Sequence, residues 1–189
     1  MFLFVGLGNP GPRYALTRHN VGFLFVDQMI KQGLRKTIRK RLYDAYLLEG
    51  QTKVYVAKPL TFMNLSGVAV RLLMKDINFS EGDTLTLVYD DVWIPLGRIR
   101  IRENGSDGGH NGVNSVISEI GTKEFPRIRI GVGPLPEHGD MVDYVLGRFS
   151  DEEYVKASKA VDLAISAAKD LIAGDIRKAM SYYNGLEAT

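Results

Sequence analysis

Short apolar runs and helical repeats alternate along this 189-residue chain, with no Pro/Gly/Ser-rich linker, internal repeat or low-complexity tract between them. Residues 2–7 form an apolar run that meets glycine, the pattern of a buried strand. Residues 21–31 then set Val21, Leu24, Phe25, Gln28 and Met29 at helical spacing. Residues 43–48 and 53–57 flank a Glu-Gly-Gln-Thr turn and read as a hairpin. A helix is predicted from 65 to about 75, strands near 85–89, 97–102 and 127–132, and a helix over 111–120. Ser150 and Glu153 form a capping box ahead of an apolar stripe that includes Tyr154, Val161, Ala168 and Ile172, and Gly174 is the expected stop before a second short helix. Strands interleaved with helices, plus one hairpin, predict an α/β fold: a mixed, twisted central sheet flanked by helices. A hydrophobic content of 45% over this length supplies one well-buried core but not two, so residues 1–189 are expected to form a single domain.

Composition removes several kinds of chemistry. The chain has no cysteine, which excludes disulfides, thiolate nucleophiles and thiolate metal sites and agrees with a reducing compartment. No stretch has the length of a membrane span, and the apolar start lacks a charged leader region, so a soluble, unexported protein is expected. The net charge of +2 permits an acidic partner such as RNA without requiring one.

Gly6, Gly8 and Gly11 have the G-x-G-x-x-G spacing of a dinucleotide loop. Two requirements of that reading fail. The third glycine should open a helix, yet Pro12 and a polar stretch to Asn20 follow it. The acidic residue at the matching offset, Asp27, falls inside the helical pattern on its expected solvent side. What remains is a strand ending in an Asn-Pro-Gly turn and a long loop that displays Asn9, Tyr14, Arg18 and His19, the way α/β sheets commonly carry active sites.

His19 is the natural candidate for proton transfer, because imidazole titrates near neutrality; the plain alternative is a loop histidine bonded to a carbonyl. Asp90 and Asp91 close the apolar strand pattern of residues 84–89, where a carboxylate can hold an imidazole in one tautomer; a turn, a helix cap or a metal site are the other readings. His110 and His138 are the only further imidazoles and neither is at ligand spacing, so no metal site is expected and an acid–base dyad ranks above one. Asn64 and Asn111 each precede or open a predicted helix, as caps do, but uncharged amides also grip carbonyls and hydroxyls. Ser66 lies in Asn-Leu-Ser-Gly, which is no nucleophile elbow.

Arg35, Lys36, Arg39, Lys40 and Arg41 read as a solvated helix end or loop. Arg98, Arg100 and Arg102 alternate with isoleucines, as do Arg127 and Arg129, which directs each set to one face of a strand; two such stripes on neighbouring strands suggest a phosphate clamp.

The stretches VGLGNPGPRYALTRHNVGF, KPLTFMNLSG, VYDDVWIPLGRIRIRENGSDGGHNGVNSVI, FPRIRIGVG and MVDYVLGRFS together resemble the bacterial peptidyl-tRNA hydrolase family, in order and over nearly the whole chain. The resemblance implies a cytoplasmic, monomeric, cofactor-free enzyme that hydrolyses the ester between a peptide and the 3′ end of tRNA. It implies His19 as the base that activates water, Asp90 as its orienting partner, and Asn9 as the residue that tells blocked from free aminoacyl-tRNA. It further implies a cleft lined by Tyr14, Phe62, Asn64 and Asn111, with Arg102 and Arg129 holding the tRNA 5′ phosphate. Trp93 departs from the pattern, which commonly has Asp there; packing on the protein surface is expected of it in preference to stacking on a base. A non-catalytic RNA-binding relative, such as an organellar splicing factor of this scaffold, and a hydrolase of some other ester or amide are the competing readings. A pure binder has no use for a general base.

Overall fold

The computed structural model describes residues 1–188. Seven strands join one mixed sheet: β1 (Phe2–Gly6), β2 (Leu34–Arg39), β3 (Tyr43–Leu48), β4 (Val54–Pro59), β5 (Thr84–Pro95), β6 (Ile99–Arg102) and β7 (Arg127–Gly133), in the spatial order β2-β3-β4-β1-β5-β7-β6. The four central strands run parallel, while β2, β3 and β6 are added antiparallel at the two sides. The helices are α1 (Val21–Ile30), α2 (Ser66–Asp76), α3 (Asn111–Ile120), α4 (Met141–Leu146), α5 (Asp151–Ile172) and α6 (Ile176–Tyr183).

Strand alternation divides the core in two. Phe4, Val56, Val88, Ile99, Ile101, Ile128 and Ile130 face α1, α5 and α6, whereas Leu3, Val5, Ala57, Leu85 and Leu87 face α2 and α3. Central strands buried on both faces are the reason these runs read as almost continuously apolar. The expected α/β architecture therefore holds, including the hairpin between β3 and β4 and the capping box, in which Ser150 accepts from the Glu153 amide and Glu153 accepts from the Ser150 amide.

Two local expectations are corrected, and one short helix is new. The basic run is mostly edge strand β2, with only Lys40 and Arg41 in the turn that follows: Leu34–Arg39 pairs with β3 but leaves its other side open, so exposed cations there also block further strand addition. Strand β5 extends past Tyr89 to Pro95, with a register shift against β7 between Asp91 and Pro95. The helix α4 had no sequence signal, since six residues are too few to show a helical period. Among the described residues no helix is long and apolar enough to cross a membrane.

Two glycines set the position of the first loop. A Cβ on Gly6 would lie 2.0 Å from the Gly22 carbonyl oxygen, and one on Gly22 would lie 2.5 Å from Leu7 and Val88 backbone atoms. The end of β1, the start of α1 and the middle of β5 are thus in direct backbone contact. That contact brings the residue before α1 to the end of the regular β5 ladder.

Candidate active site

The long loop after β1 folds back through successive tight turns, Tyr14 N–H to Gly11 O and Thr17 N–H to Tyr14 O, and ends in a 3-10 turn at Arg18–Asn20. Its two ends are fastened to each other. The Asn9 amide donates to Asn20 Oδ1 at 2.9 Å, and Asn20 Nδ2 donates to the Asn9 carbonyl at 2.8 Å, both in the buried interior. Arg18 anchors the same turn from outside, with two 2.9 Å bonds to Glu153 and its guanidinium 4.4 Å from the Tyr144 ring centre.

His19, held in that turn, places Nδ1 2.8 Å from Asp90 Oδ1. His110 places Nε2 3.0 Å from the same oxygen, and its Nδ1 accepts from the Gly112 and Val113 amides. Because Nδ1 of His110 is an acceptor, the proton of its neutral ring is on Nε2 and points at Asp90. Asp90 accepts from His19 as well, which puts the His19 proton on Nδ1 and leaves the Nε2 lone pair facing the cleft. Burial opposes the charge on Asp90, yet the facing imidazoles His19 and His110 outweigh it and hold the carboxyl well below the usual carboxylate range. For His19, burial lowers the basicity of the ring, and the Asp90 charge and hydrogen bond more than reverse that, so its pKa stands above the ordinary 6.5.

Sequence spacing missed His110, which is 20 residues from Asp90 but joined to it through a glycine-rich turn. The only available signal was a histidine at the N-terminus of a strong helical pattern, where it serves as the N-cap of α3. Asn111 is therefore the first helical residue and not the cap. Asn64 likewise caps nothing: it lies exposed within a 3-10 turn ahead of α2.

His19, Asp90 and His110 also bring three potential metal-ligand atoms within 4.8 Å of one another, contrary to the spacing expectation. The donor set does not suit a cation. A metal on His110 Nε2 would move the ring proton to Nδ1, against two backbone N–H groups, and the N···O contacts are direct hydrogen bonds.

The cleft around this cluster measures about 570 Å³. Asn9 stands at its floor: Oδ1 accepts from the Met63 amide at 2.8 Å, which turns the Nδ2 donors away from that strut. Phe62, Asn64 and Asn111 border the cleft, as do Arg102 and Arg129, but Tyr14 does not. The turn at Gly11 carries Tyr14 outward, where its ring lies 5.7 Å from the Arg13 guanidinium. Exposed Met141, Val142 and Leu146 of α4 give one wall an apolar lining.

The arginine stripes follow the predicted face in part. Arg100 pairs with Arg129, and Arg102 with Arg127, across β6 and β7. Arg127 is buried and donates to the carbonyls of Ser106 and Lys123, a structural role. Arg98 precedes the strand and pairs with Glu187. Arg129 is ion-paired to Asp91, with Nε 2.6 Å from Oδ2, so its charge is largely offset; Arg102 is exposed and has no ion-pair partner among the described residues. Trp93 does not pack on the surface as expected: it is 69% exposed at the rim.

A buried carboxylate orienting an imidazole with one free nitrogen, beside neutral amide donors, is the equipment of a hydrolase that activates water. Comparison with known proteins specifies which. Residues 3–189 match the peptidyl-tRNA hydrolase family, and the chain belongs to that family. It is 58% identical to a peptidyl-tRNA hydrolase of Kosmotoga olearia over 187 residues, 98% of each chain. It is 50% identical to the Thermotoga maritima peptidyl-tRNA hydrolase over 183 residues, 97% of each. The crystal structure of peptidyl-tRNA hydrolase from Acinetobacter baumannii superposes with a TM-score of 0.89 at 32% identity, covering 100% of this chain and 97% of that one.

Proposed function

We propose that this chain, acting as one domain and as a monomer in the cytoplasm, hydrolyses the ester that joins a peptide or N-blocked amino acid to the 3′ end of tRNA, with no cofactor. The observation that carries the reading is the 2.8 Å contact from His19 Nδ1 to Asp90, which leaves Nε2 free at the cleft. In this mechanism Nε2 takes a proton from water as the water oxygen attacks the ester carbonyl carbon. The carbonyl oxygen becomes an oxyanion, for which Asn9 Nδ2 and the Asn111 amide are neutral donors. Collapse breaks the bond to the ribose oxygen, and imidazolium returns the proton to that leaving group. Asp90 favours the transient imidazolium without itself taking the proton.

Family membership supports the substrate class, and completeness of the site within one chain supports the monomer. In this reading Asn9 distinguishes blocked from free aminoacyl groups, and Phe62 and Asn64 border the terminal nucleoside or peptide, whereas Tyr14 acts from outside the cleft. Arg102, with its free charge, is the stronger phosphate contact; Arg129 contributes through what Asp91 leaves unpaired.

The test is release of free tRNA from N-blocked aminoacyl-tRNA. His19→Ala should stay folded, retain tRNA binding and lose about 100- to 10,000-fold in turnover. Tight RNA binding without release by the folded wild type would instead establish a binding module.

A further inference from the structure

Trp93 is the chain's one tryptophan, and its 69% exposure exceeds that of every other exposed large apolar side chain among the described residues. An aromatic ring left this bare at a cleft rim contributes little to the packing of the folded chain. Its setting is nevertheless fixed. The Trp93 amide donates to Asp91 Oδ1 at 2.8 Å, while Asp91 Oδ2 holds the Arg129 guanidinium. One buried carboxylate therefore ties the backbone that carries the indole and the Arg129 cation to a common point. Unpaired Arg102 borders the same cleft, and Arg100 lies across the ladder from Arg129.

A flat aromatic face next to guanidinium groups is the combination that binds single-stranded nucleic acid: the ring stacks on a base while the cations meet the flanking phosphates. The apolar wall suited to a peptide lies on α4, in Met141, Val142 and Leu146. We propose that Trp93 is a specificity-determining residue whose indole stacks on an unpaired base of the tRNA acceptor end. This rests on the tRNA substrate reading above. Trp93 takes no part in the chemistry, so its effect belongs in capture.

Because no other tryptophan is present, indole fluorescence excited at the red edge reports this position alone. The probe is a short single-stranded RNA with the acceptor-end sequence and no acyl group, whose binding is followed in parallel by anisotropy of a labelled copy. Stacking predicts quenching that saturates together with the anisotropy. In steady state with N-blocked aminoacyl-tRNA, Trp93→Ala should raise KM by about 5- to 150-fold, with the loss confined to KM, while Trp93→Tyr retains most of the affinity. An unaltered melting temperature in Trp93→Ala would separate this from a folding role. Saturated RNA binding without any fluorescence change overturns the proposal, as does a wild-type KM in Trp93→Ala. So does a Trp93→Ala penalty that follows the identity of the acyl group and vanishes for RNA alone, which would assign the ring to the peptide. The fluorescence measurement needs no turnover, so failure of the hydrolase reading would appear separately, as absence of tRNA release by the wild type.

Discussion

Replacing His110 should separate two properties that its ring supplies together, the cap of α3 and a donor to Asp90. His110→Ala removes both. His110→Asn restores an oxygen that can accept from the Gly112 and Val113 amides but is too short to reach Asp90. Losing the bond to Asp90 costs about 1.5 kcal/mol, the low end for a charged acceptor, because Oδ1 keeps its contact with His19. Losing the cap adds about 1 kcal/mol. At roughly 2–4 °C per kcal/mol for a chain of this size, His110→Ala should melt about 5–10 °C below wild type and His110→Asn about 3–6 °C below it. Activity should respond differently. A carboxylate with one donor fewer favours the His19 imidazolium more strongly, so the His19 pKa, already raised, rises further. The neutral base then becomes scarcer at a given pH, and the acid limb of kcat/KM moves upward in both variants by at most about one unit, the equivalent of the lost bond. Scanning calorimetry and a pH–rate profile on N-blocked aminoacyl-tRNA read the two effects. An acid limb in His110→Asn that overlays wild type would refute the coupling through Asp90, and equal melting of the two variants would refute the cap.

Asp90→Asn should lower the His19 pKa and shift the acid limb downward while reducing kcat, as measured in the same profile. The depressed Asp90 pKa also contributes stability that is fully present above its unfolded value near 3.9 and is lost as pH falls through the folded value; denaturation at several pH values should show a shallower acid decline in Asp90→Asn. Arg102→Ala should raise KM for whole tRNA and reduce the salt slope by about 0.7–0.9 with kcat unchanged, whereas Lys36→Ala and Arg39→Ala on edge strand β2 should leave both alone. Hydrolysis of a minimal substrate carrying only a short 3′ fragment should survive exhaustive chelation, since the protons of His19 and His110 occupy the positions a metal would need. Gly6→Ala should cost about 1–3 kcal/mol and depress kcat by moving α1, and with it His19, off Asp90; equilibrium unfolding and turnover check both.

What was readable in the chain follows from how local each signal is. The α3 helix declares its bounds at Asn111–Ile120 because a glycine-rich turn precedes it and Gly121, at φ 73°, ends it. The Ser150 and Glu153 box likewise spans four residues. His19 was recoverable because it closes a polar loop just ahead of an apolar helix, and Asp90 because a pair of carboxylates interrupts an apolar strand pattern. Strand β2 was not, since an edge strand with nearly every residue exposed carries cations where alternation should show. The Arg129–Asp91 pair depends on the β5–β7 register, which no stretch of sequence states by itself. His110 needed three separate segments to meet at one oxygen.

The reciprocal bonds between Asn9 and Asn20 have a bearing on how this protein can be altered. They close a ring of backbone whose clasp carries the amide donor and, one residue away, the base, so the separation of the two working groups is independent of the path the chain takes between them. Extra residues inserted near Arg13 would enlarge an exposed bow outside the clasp, at a closure entropy that grows only logarithmically with length, about 0.6 kcal/mol per doubling. The tip of this loop is thus a port for grafted sequence, a recognition peptide or a label, close along the chain to His19 and mechanically insulated from it.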